Sequence, residues 1–197
     1  MTPSANSSGP GLAALDHRRS VPARQLGAPG PDEATLLRML RSAVRVPDHG
    51  KRVPYRFIRI QGEARDALGR SLAAITLERN ANAGEAEVDK DKRRFSHAPL
   101  VIAVIAVLDP QDTHIPEQER LLTAGCVCFA LLQAAQAMGF GACWLSGWPA
   151  YDARALALLG VEENERVAGF IHIGTPQAQV PERERPDPAA LLSDFTP

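Results

Sequence analysis

Polar and apolar positions along this chain fall into blocks with helical or strand spacing. Leu36, Leu37, Leu40, Ala43 and Val44 follow the three-and-four spacing of one helix face, opened by Pro31 or Asp32 and stopped by Pro47. Pro54 to Ile60 alternates aromatic or aliphatic residues with basic ones, as a half-buried strand does. Ala64, Leu68, Leu72 and Ile75 predict a second helix from Glu63 to about Glu78. Leu100 to Leu108 is an unbroken Val- and Ile-rich run, the mark of a central strand covered on both faces. Asp152 caps a short helix to Leu159, and Val167 to Ile173 reads as a strand broken by Gly174-Thr175-Pro176.

The stretch from Glu117 to Trp148 dominates the pattern. Between Leu121 and Met138 it carries no formal charge and is rich in Ala and Leu, so a helix buried on nearly all sides is expected. Gln133 and Gln136 make it a poor membrane span, and a core helix or one shared between subunits is the better reading. Gly139 and Gly141 end it; Ala142 to Leu145 then forms a short strand leading into the turn Ser146-Gly147. Met1 to Gly11 lacks periodicity and reads as a disordered tail, followed by one or two helical turns over Leu12 to His17. Asn80 to His97 is polar and charged, and is expected to be a mobile excursion with some helix between Glu85 and Phe95 and a solvated charged face. The Pro-rich C-terminal tail still holds Leu191, Leu192 and Phe195, so it is expected to embrace another surface, a partner subunit being one.

Composition narrows the class. The length of 197 residues with 45% hydrophobic content fits one domain, taken as residues 12–197, and the element order predicts an α/β or α+β chain. A net charge of −1 gives no reason to expect nucleic acid or an anionic membrane as partner. No basic segment followed by an apolar one opens the chain, so a cytoplasmic location is expected. Cys126, Cys128 and Cys143 are read as buried reduced thiols, because Cys126 and Cys128 would point about 200° apart around a helix, unsuited to one metal. The five histidines have no metal-ligand spacing, and no metal site is expected. Gly139-Phe140-Gly141 follows a helix and precedes a strand, the reverse of a dinucleotide-binding fingerprint.

Candidate chemistry lies in polar anchors near element ends. Arg18, Arg19 and Ser20 offer guanidinium groups and a hydroxyl, suited to a phosphate dianion; adjacent arginines cannot both face one ligand from regular structure, so one of them is open to a structural role. A solvated basic turn is the plain alternative. Arg45 sits where a cation favours a helix C-terminus anyway, and His49 follows the break at Pro47.

The ordered set of Arg18-Arg-Ser20, Ala43-Val-Arg-Val-Pro-Asp-His49, Pro54-Tyr-Arg-Phe57, Ala98-Pro-Leu-Val-Ile102, Ala124-Gly-Cys126, Gly139-Phe-Gly-Ala-Cys-Trp-Leu-Ser-Gly147 and Val167-Ala-Gly-Phe-Ile-His-Ile-Gly-Thr-Pro176 resembles the FMN-dependent nitroreductase family, in particular its small single-domain bacterial NAD(P)H members. The resemblance spans roughly residues 12–195. It implies an α+β fold with a mixed, mostly antiparallel sheet surrounded by helices, and an intertwined homodimer with flavin sites at the subunit interface. By that resemblance the long helix packs at the interface, and a charge at Ala130 or Ala134 should lose dimer and FMN together. Arg18, Arg19 and Ser20 would hold the FMN phosphate and ribityl chain, Arg45 and His49 would reach the flavin of the neighbouring subunit, and Trp144, Leu145, Ser146 and Gly147 would line the ring, with the backbone at Ser146 and Gly147 at its N5 edge. The implied reaction is ping-pong hydride transfer from NAD(P)H, through the flavin, to a small-molecule acceptor such as a nitroaromatic or quinone; no protein side chain acts as a nucleophile. A non-catalytic flavin-binding or storage dimer and a flavin-dependent dehydrogenase on the same scaffold are the alternatives. Two departures stand out: Val53-Pro54-Tyr55 replaces a Gln found in many relatives, and Arg183 and Arg185 both stand as candidates for a late phosphate contact.

Overall fold

The computed structural model describes residues 10–196. The tail expected over residues 1–11 falls outside the described residues except for Pro10 and Gly11, which instead begin helix α1, Pro10–Asp16. A two-residue strand β1, Leu26–Gly27, precedes helix α2, Glu33–Ala43, and strand β2, Tyr55–Gln61. Helices α3, Glu63–Arg79, and α4, Glu85–Lys92, lead to strand β3, Leu100–Val107. The long helix α5, Glu117–Ala137, is followed by β4, Gly141–Leu145, helix α6, Ala153–Leu159, and β5, Glu165–Pro176.

Asp32 opens α2 as the sequence suggests: its carboxylate accepts from the Thr35 N–H at 2.8 Å, satisfying one of the amides a helix start leaves unpaired. In α2 the apolar stripe is rotated slightly from expectation. Leu36, Met39 and Ala43 are buried, whereas Leu37 and Val44 face outward.

The sheet runs β1-β5-β3-β2, with β4 also on β5, and every pairing among the described residues is antiparallel. β3 is the centre. Leu100, Ile102, Val104 and Ala106 pack on one face against α2 and α5, while Val101, Ala103 and Ile105 face Phe95, Leu72, Ile75 and Ala155 on the other. That explains why its sequence has no polar break: a residue pointing either way meets a helix layer. The chain therefore has the expected α+β class, a sheet between two helical layers.

β5 is longer than its sequence suggests. Gly174-Thr175-Pro176 does not break it; Gly174 pairs with Gly141 of β4, and Thr175 and Pro176 pair with β1. Glycine permits the crowding there, because a Cβ at Gly174 would lie 2.6 Å from Pro99. Between Val167 and Gly169 the register with β3 shifts, so Ala168 has no partner across from it.

Two segments depart from the sequence reading. Asn80 to His97 is no loose excursion: α4 lies against α3 so closely that a Cβ at Gly69 would run into the Lys92 carbonyl. Nor is its charged face wholly solvated, since Asp91 is only 3% exposed. The long helix is also less enclosed than expected. Ala124, Val127, Cys128, Leu131 and Ala135 are buried against the sheet, but Leu121, Leu122, Cys126 and Phe129 lie outward in one continuous stripe. Cys126 is accordingly exposed, unlike Cys128 and Cys143, whose thiols burial pushes up to about 12 and about 11.

Candidate functional site

Three clusters hold the residues singled out from sequence, and all three touch α5 or β4. The first follows α1. The Val21 N–H donates to Ala142 O at 3.0 Å, so the segment carrying Arg18, Arg19 and Ser20 runs beside the start of β4. Gln136, near the end of α5, clamps it further, accepting from the Arg19 N–H at 3.1 Å and donating to His17 O at 3.1 Å. The two arginines then divide. Arg18 donates to Ser20 Oγ at 3.0 Å, whereas Arg19 turns to the carbonyls of Asp16 and Arg18 and pairs with Glu182.

Val180 packs on Val21, Leu26, Ala98 and Cys143, which draws the start of the C-terminal segment over the same place. Arg18, Arg19, Ser20, Arg183 and Arg185 consequently line one cleft. Four guanidinium groups and a hydroxyl, offset by one carboxylate at Glu182, suit a phosphate dianion. Both late arginines reach the cleft, but they differ in pairing: Arg185 also engages Glu182, its Nη2 lying 3.0 Å from Oε1.

The second cluster is the far end of β4. Trp144 lies over Gly169, where any Cβ would collide with the indole, and its Nε1–H donates to Ala168 O at 3.1 Å. The register shift in β5 frees that carbonyl from the sheet ladder. Trp144, Leu145, Ser146 and Gly147 are all exposed, and Gly147 has φ +89°, a conformation that favours glycine. This row of an apolar ring, a leucine and an open backbone turn is a fit platform for a planar aromatic group.

Beside it stand residues the sequence reading passed over. Arg94 Nη1 lies 3.0 Å from where a Gly147 Cβ would be, while its Nε and Nη2 donate to Asp91 Oδ1 at 3.0 and 2.5 Å. Thr76 Oγ1 donates to Asp91 Oδ2 at 2.7 Å, and Trp148 Nε1 to Oδ1 at 3.1 Å. Burial alone would raise this carboxyl, but the hydrogen bonds from Thr76, Arg94 and Trp148 hold it below the ordinary carboxylate value. The signal within Asp89-Lys-Asp-Lys-Arg-Arg94 is faint: only the three-residue spacing of Asp91 and Arg94 marks a pair among many charges.

The third cluster carries Arg45 and His49. Asp48 caps the backbone N–H groups of Arg52 and Val53 at 3.1 and 2.9 Å, and holds Lys51 and Val53 at positive φ. A β-branched residue at φ 48° is an uncommon strain, and Val53 is the position where the sequence departs from its resemblance. His49 Nδ1 lies 2.7 Å from Glu119 Oε2, and Thr123 Oγ1 donates to Pro47 O at 3.2 Å. Arg45 is exposed. This cluster is tied to the first turns of α5, whereas Arg18 and Ser20 adjoin Gln136. At the helical rise, the anchors Glu119 and Gln136 are about 25 Å apart along α5. The first and second clusters therefore share one strand, but Arg45 and His49 are not gathered with the Arg18 cleft within a single chain.

Residues 15–175 match the model of the nitroreductase family. A candidate NAD(P)H nitroreductase of Haemophilus influenzae is 37% identical over 164 residues, covering 83% of this chain and 87% of its own length. Among solved structures, a nitroreductase-like family protein of Bacillus cereus superposes with a TM-score of 0.80 at 21% identity, covering 98% of this chain and 99% of the other. A candidate nitroreductase from Desulfovibrio desulfuricans, crystallised with FMN, superposes with a TM-score of 0.73 at 23% identity over 97% of this chain and 100% of the other. With its α+β sheet and helical layers, the chain belongs to the nitroreductase family of oxidoreductases.

Proposed function

We propose that the protein is an FMN-dependent oxidoreductase that takes hydride from NAD(P)H and passes it to a nitroaromatic or quinone-like acceptor in one open site. The observation that carries this reading is that β4 joins an arginine-lined cleft at its start to an aromatic platform and an open glycine turn at its end. A phosphate at one end and a ring at the other is the division of polar and apolar contacts that FMN requires. The FMN named with the Desulfovibrio desulfuricans structure supports the cofactor, and the name of the Haemophilus influenzae relative supports the donor.

FMN, when bound, supplies the hydride-accepting and hydride-donating centre at N5. Arg18 and Ser20 hold its phosphate, with Arg183 and Arg185 closing the cleft. Arg19 keeps that loop in place through Glu182 and the Asp16 carbonyl. Trp144 and Leu145 support the ring, and the turn at Ser146 and Gly147 faces its edge. Arg94 places a fixed cation beside that turn, where charge on the ring is stabilised.

Two copies of the chain complete the site in this reading. The uncovered stripe Leu121, Leu122, Cys126 and Phe129 on α5 is the seam, and Arg45 and His49 of one copy serve the cleft of the other. Leu191, Leu192 and Phe195 are 73%, 79% and 89% exposed, so the end of the tail has no apolar surface of its own chain beneath it and crosses to the second copy.

The test is the absorption spectrum of purified protein supplied with FMN, recorded before and after anaerobic NADH or NADPH. Flavin bands that bleach with a pyridine nucleotide and return with a quinone or nitroaromatic are expected. Protein that neither binds FMN nor oxidises NAD(P)H in its presence sinks the reading, and bound flavin that no nucleotide bleaches favours storage. In the same assay Arg18→Gln removes a charge-assisted contact and is expected to weaken FMN binding about tenfold or more. An unchanged dissociation constant would take the phosphate away from this cleft.

A further inference from the structure

We propose that Asp91 is a positioning residue for the flavin edge: it engages Arg94 and Trp148 at once and thereby sets the turn at Gly147. The proposal rests on the flavin reading above. Trp148 directly follows Gly147 in the chain, and Arg94 approaches Gly147 from the side. One oxygen, Asp91 Oδ1, accepts from both, and the other accepts from Thr76 of α3. The guanidinium of Arg79 lies over the Trp148 ring, 5.2 Å from its centroid. One carboxylate thus joins α3, the end of α4 and the turn after β4.

Packing alone does not call for a charge here. Burying a carboxylate is costly, and apolar residues of like volume hold elements together at least as well. What a carboxylate adds is direction: its lone pairs fix the indole N–H and the guanidinium fork at set angles. Those two donors flank the residue whose backbone faces the candidate ring. Gly147 itself is conformationally permissive, so its peptide plane depends on what holds its neighbours.

The test uses full-length protein reconstituted with 15N-labelled FMN, following the N5 resonance, the FMN dissociation constant and the melting temperature. Asp91→Ala is expected to move the N5 resonance and weaken FMN binding about tenfold, the size of one ordinary hydrogen bond from the turn to the flavin edge lost when the turn is no longer held. Trp148→Phe keeps the Asp91–Arg94 pair and most of the ring packing, and is expected to move N5 the same way by less. A lower melting temperature with native N5 resonance and native affinity in both variants would make Asp91 merely structural and overturn the proposal. Should Asp91→Ala fail to fold, Trp148→Phe decides: an unmoved N5 overturns it, a moved N5 supports it. Failure of the flavin reading is told apart, because FMN would then not bind the unsubstituted protein.

Discussion

Phe129→Asp is expected to give a folded monomer that no longer retains FMN. Phe129 lies outward on α5 within the stripe Leu121, Leu122, Cys126 and Phe129 and is 42% exposed, so a carboxylate there can reach water in the single chain. In the proposed dimer that position is covered, and an unpaired carboxylate at a covered apolar seam costs several kcal/mol, enough to dissociate an ordinary interface. Loss of cofactor should follow because stripe and site are contiguous. Gly125 lies in the same stripe, and a Cβ there would be 3.9 Å from the Trp144 ring. Displacing the second copy would thus uncover the ring platform and remove Arg45 and His49 together. Sedimentation and flavin absorbance of one sample read both consequences. A Phe129→Asp protein that stays dimeric with FMN bound would put the interface elsewhere. The position matters: Ala134, which the sequence suggested as a probe, is buried against the sheet, and Ala130 packs on the same core. A charge at either would test folding before it tested assembly.

Much of the fold was legible because burial on two faces leaves a plain trace. β3 could be read from an unbroken apolar run, and α2 from its cap and spacing. The rotation of α2 was not, since Met39 and Leu37 are both good apolar helix formers and only the tertiary packing chooses between them. The long helix left two readings open, a core helix or one shared between subunits, for a related reason. An apolar run does not distinguish a helix face packed on its own core from one left outward, and Leu121, Leu122, Cys126 and Phe129 lie outward in the single chain.

The candidate site was legible in part, and the division is physical. Arg18-Arg-Ser20 and Trp144-Leu-Ser-Gly147 are contiguous, so each announces its chemistry within a few residues. Asp91 and Arg94 sit in a run of charges that looks solvated, and only the folded chain shows one carboxylate turned inward. The link between Asp91 and Trp148 spans 57 positions, a separation no local pattern reports. Glu182 and Arg19 illustrate the same point at longer range: they pair across a separation that no local pattern reports.

His172 makes acid a specific threat to this fold. It is 1% exposed, stacked on Phe95 at 5.9 Å, and its Nδ1 has no hydrogen-bond partner among the described residues. Burial, reinforced by the nearby charges of His97 and Arg94, pushes its pKa down to about 4 from 6.5. In the unfolded chain the imidazole takes its proton near 6.5; in the folded chain it resists until about 4. The unfolded state therefore binds more protons in between, so the stability is fully present above 6.5 and is lost as pH falls toward 4. Carried to pH 4, the difference amounts to about 3 kcal/mol, a large share of an ordinary domain's stability. Denaturant unfolding of the native protein and His172→Leu, at one protein concentration, isolates the effect from that of the carboxylates. The native protein should lose about 3 kcal/mol more than the variant between pH 7.5 and pH 4; parallel losses would mean that His172 is protonated without cost. The consequence reaches the site, because a proton on His172 sets a cation beside Arg94, the group held at Gly147. FMN release is accordingly expected over the same acid range in the native protein, and over a lower one in His172→Leu.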